Sequence, residues 1–426
     1  MHPRRIVWLL AAAALLLAAQ IGAAQEFFFK KGDVIVVMGD SITEQRLYSN
    51  YVEIWSQTRF PSHNLVFRNV GIGGDRSTGG NNRFKRDVIF YKPTVLTVDF
   101  GMNDGNYNLK AFDDKAFATY TKGLQGIADK AKAANIRVAW ITPQPVEHNP
   151  GDAKEAYNQT LEKFSDGVKD IASKNSGHFV DQFHPYWAVV TKAREAGEKG
   201  RITGGDAVHP GSAGQAVMAA AILKGLYFPK KVSSVELDAG AEKGPAVKTD
   251  NCKVSKAAYV PGSGLTFMRE DAALPFFPEQ AKSILKWTPL VEEMNEYGLR
   301  VTGLKPGKYE VKLGGKTIAT HTEGELAKGV NLAAAALAAG PVADQVKEVV
   351  AAVNAKTTYH HDQIFRGLVL ANVAKHPDFK DVAKEDIEKR RQSLIEERMK
   401  KMPELDAAIH KALAPRAHQV EVLQVK

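Results

Sequence analysis

The sequence predicts an α/β protein with a mostly parallel sheet, and three observations carry that reading. First, five strand-like runs, Asp33–Met38, Leu65–Val70, Val95–Phe100, Arg137–Thr142 and Gly177–Val180, are rich in Val, Ile and Phe. Several are nearly all apolar, as strands covered on both faces are. Second, helical patterns at about Leu47–Thr58, Asp113–Ala134, Asp152–Ser173 and Gly211–Tyr227 separate or follow these runs. Alternating strands and helices imply right-handed crossovers. Third, the first apolar run, Val34 to Val37, leads into Met38-Gly39-Asp40-Ser41-Ile42-Thr43-Glu44. A buried strand ending in this way delivers a hydroxyl to the carboxyl edge of the sheet, where open α/β sheets bind their ligands.

Taken from the N-terminus, Arg4-Arg5, an apolar stretch from Ile6 to Ala19 and the small residues Gly22-Ala23-Ala24 have the layout of a secretory signal peptide. The apolar run is short for a membrane span. Residues 1–24 are therefore expected to be a cleaved leader, with the mature chain secreted or periplasmic and without an integral membrane segment. The 426 residues leave room for two or three domains, and 44% hydrophobic with 25% charged residues is ordinary globular composition. The lone cysteine, Cys252, excludes an intrachain disulfide. A formal charge of +9 suits an anionic glycan or envelope surface as well as a plain solvated basic surface, and no nucleic-acid partner is expected.

The strand–helix units are complete by Tyr227, so residues 25–229 are expected to form one α/β domain. Composition shifts near Pro229-Lys230-Lys231, and residues 230–324 read as a small β module. Within it Lys308–Leu313 and Lys316–Thr320 flank Gly314-Gly315, a hairpin signal. Residues 325–426 are expected to be helical: Ala-rich Asn331–Ala339 breaks at Gly340-Pro341, a second helix runs to about Ala355, and Lys380 to Leu413 reads as amphipathic.

Three further blocks follow the Gly-Asp-Ser strand end: Asn69-Val70-Gly71-Ile72-Gly73-Gly74-Asp75, Gly101-Met102-Asn103-Asp104 and Asp206-Ala207-Val208-His209-Pro210. Alone, Gly-Asp-Ser is also a turn and helix cap, and Asp-x-x-His is also a capping Asp and a surface His. The four blocks in this order, over about residues 30 to 228, closely resemble the SGNH (GDSL-like) hydrolase family. That resemblance implies a flavodoxin-like three-layer α/β/α sandwich with a parallel five-stranded sheet, and a serine ester hydrolase.

Acyl transfer needs a nucleophile, a base, an orienter for the base and donors for the oxyanion. Ser41 is the candidate nucleophile, and its hydroxyl needs an adjacent base. His209 is the candidate base, since imidazole titrates near working pH. Asp206, three residues earlier, can reach the far ring nitrogen and fix the tautomer. The oxyanion donors implied are the Ser41 and Gly74 backbone N–H groups and the Asn103 amide. Asp40, Asp75 and Asp104 are read as capping or bracing carboxylates, and Thr142-Pro143-Gln144-Pro145 as a stretch that lines a substrate pocket.

Other signals are discounted. Arg76 stands where the Gly71-Ile72-Gly73-Gly74 run would need glycine for a dinucleotide loop. There is no Gly-x-Ser-x-Gly elbow. His360-His361 lacks ligand-spaced neighbours and reads as helix surface rather than a metal site. No metal and no cofactor are expected. The expected reaction is deacetylation of a carbohydrate. The alternatives are a lysophospholipase- or lipase-type acyl hydrolase, and a non-catalytic carbohydrate-binding or scaffold protein on a hydrolase-like fold. The expected partner is a small-molecule or glycan ester substrate. The sequence does not give the oligomeric state.

Overall fold

A computed structural model describes residues 25–107, 112–242 and 244–425, except the side chain of residue 374. The expected leader lies outside the described residues. Five strands, β1 (Val34–Gly39), β2 (Val66–Asn69), β3 (Val95–Asp99), β4 (Arg137–Ile141) and β5 (His178–Val180), form one parallel sheet in the order β2-β1-β3-β4-β5. Period-two alternation sends Ile35 and Val37 to one face and Val36 and Met38 to the other, so both faces are apolar. Helices α1 (Ser41–Glu44), α2 (Leu47–Arg59), α3 (Ser77–Asp87), α4 (Asp114–Ala133) and α5 (Tyr157–Lys174) fill the crossovers, and α6 (Phe183–Glu195) and α7 (Ser212–Gly225) follow β5. Side chains of α2, α6 and α7 cover the face of Ile35 and Val37, and those of α3, α4 and α5 cover the face of Val36 and Met38. This is the expected α/β/α sandwich.

Helices α3 and α6 are additions to the expected pattern, and the expected helix from Asp152 opens as a tight turn, with the α-helix starting at Tyr157.

Behind the sandwich, β6 (Lys231–Asp238), β7 (Ala246–Asp250), β8 (Cys252–Val260), β9 (Gly264–Asp271), β10 (Glu296–Thr302), β11 (Lys308–Leu313), β12 (Lys316–Thr322), β13 (Val330–Asn331) and β14 (Ala417–Gln424) build two more sheets. One has the order β13-β10-β6-β7 and the other the order β12-β11-β14-β9-β8. The hairpin at Gly314-Gly315 forms with both glycines at positive φ, 57° and 79°. Strand β14 corrects the expectation of a helical 325–426. His418, Val420 and Val422 alternate inward, and β14 pairs with β9 and β11 at the centre of its sheet. Pairing partners more than a hundred residues upstream decide this.

Between β13 and β14 lie α8 (Pro341–Tyr359), a wider i→i+5 helical segment His360–Val369, α9 (Ile387–Met399) and α10 (Met402–Ala412). They pack against the edge at β2. Lys356 of α8 lies 2.8 and 2.6 Å from the two carboxylate oxygens of Glu53 on α2, with both side chains buried. Arg68 of β2 forms a two-bond pair with Asp406 of α10, at 3.1 and 2.6 Å. His360 is not helix surface: it is buried, with Nε2 2.8 Å from the Tyr91 hydroxyl. One apolar cluster runs unbroken from the α2/α7 layer through β9, β11, β14 and α8.

Candidate active site

Four segments converge at the carboxyl edge of the parallel sheet: the β1–α1 turn, the loops after β2 and β3, and the loop before α7. At the first, the Asp40 side chain accepts the Ile42 N–H at 2.9 Å and caps α1, which begins at Ser41. The free amides of a helix start then surround the serine.

Ser41 Oγ lies 2.8 Å from His209 Nε2. His209 Nδ1 lies 3.1 Å from Asp206 Oδ2. A carboxylate there assigns the ring proton to Nδ1, which leaves Nε2 free to accept from the hydroxyl. Asp206 Oδ1 also accepts the N–H of Val208 at 2.8 Å and of His209 at 2.7 Å. Some desolvation opposes ionisation of Asp206, but the two N–H groups and the imidazole outweigh it and hold its carboxyl below the ordinary range. Gly205 takes φ +65°, so the turn closes with Asp206 N–H on the His209 carbonyl at 3.1 Å.

The histidine loop is held from beneath. Glu147 accepts the N–H of Ile202 at 2.8 Å and of Thr203 at 3.1 Å, and its own N–H reaches the Ala207 carbonyl at 2.9 Å. Gln144 donates to the Val208 carbonyl at 3.2 Å. Thr142 Oγ accepts the N–H of Gln182 and Phe183. The stretch Thr142–Pro145 is buried and braces neighbouring loops, which corrects its reading as a pocket lining.

After β2, Asn69 Nδ2 donates to the Thr43 carbonyl at 2.8 Å, which ties the Gly-rich loop to α1. The Gly73 N–H donates to Glu44 Oε2 at 2.6 Å. Gly74 is exposed at φ +72°, and its N–H meets no acceptor among the described residues. After β3, Asn103 Nδ2 donates to the Asp75 carbonyl at 3.0 Å and reaches Asp40 Oδ2 at 3.3 Å. Asp75 pairs with Arg83 at 2.7 Å, and Asp104 accepts the Ser77 N–H at 3.0 Å and hydroxyl at 2.8 Å, so both brace their loops. Burial pushes Asp40 up to about 7; the Ile42 N–H offsets part of this, and the nearby Asp104 and Asp75 charges add to it.

Tyr107 joins this site without any sequence signal. Its hydroxyl donates to Asn103 Oδ1 at 3.2 Å, and its ring stacks on Tyr157 with centroids 5.0 Å apart. Asn106 and Tyr107 both sit at positive φ, 56° and 53°. Two consecutive non-glycine residues in that region store strain of the kind found at functional sites.

Comparison with known proteins bears on the fold and the reaction class. The profile of the GDSL-like Lipase/Acylhydrolase family matches residues 37–217. An acetylxylan esterase of Geobacillus stearothermophilus is 25% identical over 216 residues, covering 46% of this chain and 95% of that protein. A solved structure described as a gut microbial diltiazem-metabolizing enzyme superposes with a TM-score of 0.80 at 25% identity, covering 95% of this chain and 100% of that one. With its Gly-Asp-Ser strand end at the edge of a five-stranded parallel sheet, the chain carries a GDSL-like, or SGNH, hydrolase domain over residues 37–217 and is an ester-bond hydrolase.

Proposed function

We propose that the chain deacetylates a carbohydrate through a Ser41–His209–Asp206 triad, outside the cytoplasm. The continuous line of contacts from Ser41 Oγ through His209 to Asp206 carries this reading. His209 Nε2 takes the Ser41 proton as Oγ attacks the ester carbonyl carbon. The oxyanion is met by the N–H groups of Ser41 and Gly74 and by the Asn103 amide. The uncommitted N–H of Gly74 favours it over Gly73, whose N–H is held by Glu44. The longer of the two Asn103 Nδ2 contacts, that to Asp40, is the one released toward the oxyanion. The alcohol leaves with the proton from His209. Water then gives its proton to His209 and attacks the acyl-serine, which releases the acid and restores the Ser41 hydroxyl.

Three observations favour a glycan acetate over a long acyl ester. The side chains of His209 and Asp206 are 34% and 65% exposed, which describes an open edge rather than a tunnel. Tyr107 offers an exposed aromatic rim beside Asn103. The matched curated relative is an acetylxylan esterase. The leader-like residues 1–24 support action in the periplasm or outside the cell.

Hydrolysis of 4-nitrophenyl esters from acetate to long acyl chains, beside acetylated xylan and diltiazem, tests this. The reading expects turnover to be highest on acetate and acetate to be released from the glycan. A rate that climbs with acyl length moves the assignment to a lipase-type hydrolase. No turnover on any substrate, in a folded chain, moves it to a non-catalytic glycan-binding protein.

A further inference from the structure

We infer that the C-terminal region completes the hydrolase site: Arg366, acting through Glu44, is a positioning residue that fixes the loop presenting the Gly74 N–H. This rests on the proposed oxyanion role of Gly74.

Glu44 is the last residue of the helix that begins with Ser41. One carboxylate oxygen, Oε2, holds the Gly73 N–H at 2.6 Å. The other, Oε1, accepts from Arg366 Nη1 at 2.7 Å and lies 3.7 Å from His361 Nε2. The Glu44 side chain is only 18% exposed, so its charge needs a partner. Among the described residues, the one cation within ion-pair distance of Glu44 that carries a fixed charge, Arg366, and the neighbouring His361 imidazole both come from the segment His360–Val369, and none comes from the parallel-sheet layers. A second contact crosses in the opposite sense: Arg46, just after α1, reaches Asp362 at 3.7 Å.

The winding of this segment suits the task. An i→i+5 helix brings side chains five apart onto one face, which α-helical winding does not, and such turns recur at functional sites. His361 and Arg366 are five apart and meet the same carboxylate.

The loop needs such a clamp. Gly73 and Gly74 are adjacent glycines with the widest backbone freedom of any residue. The loop is held downstream where Asn103 grips the Asp75 carbonyl, and upstream where Ile72 N–H bonds the Gly39 carbonyl at 3.1 Å. Between those points the Glu44–Gly73 bond fixes the Ile72–Gly73 peptide, the one just before the peptide that carries the Gly74 N–H, and so restrains where that N–H points. Donors fixed before the reaction stabilise an oxyanion without reorganisation.

The test uses the full chain with 4-nitrophenyl acetate, comparing the parent with Arg366→Ala, Arg366→Lys, Arg366→Glu, Glu44→Ala and the double variant Glu44→Ala/Arg366→Ala. Arg366→Ala is expected to lower kcat about twofold to fivefold, the scale of an exposed ion pair, with KM and the thermal midpoint unchanged. Arg366→Lys should keep most of the rate, and Arg366→Glu should lose more than Arg366→Ala. The double variant should be no slower than Glu44→Ala alone, as members of one chain of contacts are not additive. Unchanged kcat in Arg366→Ala and Arg366→Glu overturns the inference, as does full multiplication of the two single effects. Should Glu44→Ala not fold, Arg366→Glu against Arg366→Lys decides alone. A folded parent without esterase activity overturns the functional reading itself.

Discussion

At the scale of single residues, the site is a set of short-range commitments with one amide left to turn. Asn103 is held by Tyr107 on its oxygen and by Asp75 and Asp40 on its nitrogen. Asn103→Ala is expected to lower kcat by roughly 10²–10³ with KM nearly unchanged, the pattern for loss of an oxyanion donor. Initial-rate kinetics on 4-nitrophenyl acetate check this, and a change confined to KM would make Asn103 a binding residue instead. The buried Asp40 gives a pH signature. Its native value of about 7 lies above the ordinary carboxylate value near 4, so the folded chain holds a proton that the unfolded chain has released. Its contribution is therefore fully present below about pH 4 and lost as pH rises through about 7. Asp40→Asn should flatten the fall in unfolding midpoint between those limits, and an unchanged slope would place the titration elsewhere. The sequence pointed to Ser41, Asp206 and His209 because the four blocks stand in the order of the family they resemble, and the structure brings the three side chains together. Tyr107 was not, because its role comes from a left-handed backbone and from stacking on Tyr157 of a separate helix.

At the scale of elements, the β1–α1 turn and the loop after β2 pack backbone to backbone. A Cβ on Gly71 would fall inside contact distance of the Glu44 nitrogen and 2.8 Å from Thr43 Cβ. Gly71→Ala should therefore push the loop off α1, lowering stability by about 1–3 kcal/mol and kcat with it. Thermal unfolding beside kinetics reads both, and an unchanged rate would show that the loop's seat on α1 does not matter to the oxyanion donors. The alternation of apolar runs and helical patterns made the sheet and four of its helices legible. It missed α3, whose first turns carry Gly79-Gly80, residues of low helix propensity. Gly80 is needed there because a Cβ would stand 2.6 Å from the Phe100 ring. It also missed β14, a short segment after a long helical stretch whose strand identity is settled by the distant partners β9 and β11.

At the scale of the whole molecule, the C-terminal helices are fastened to the catalytic layers by buried charge. Lys356 and Glu53 are each nearly sealed from solvent, and burial drives both toward their neutral forms against their mutual attraction. Lys356→Met would leave the Glu53 carboxylate buried without a cation and is expected to cost about 3–5 kcal/mol. Glu53→Leu with Lys356→Met should recover most of that loss. Urea unfolding midpoints test the pair, and a double variant as unstable as Lys356→Met would show that the helices need this ion pair rather than merely its volume. The completeness of the strand–helix units by Tyr227 was visible in the sequence. The fastening was not, because the partners of Lys356 and Arg366, Glu53 and Glu44, lie 303 and 322 residues upstream.

The measurement that bears most directly on the central claim is kcat of the full chain against its Ser41→Ala variant on 4-nitrophenyl acetate. The proposed triad predicts a fall on the order of 10⁶, to the level left by the proposed oxyanion donors, with the thermal midpoint kept. A Ser41→Ala rate within about tenfold of the parent would contradict the serine mechanism and the site built around it.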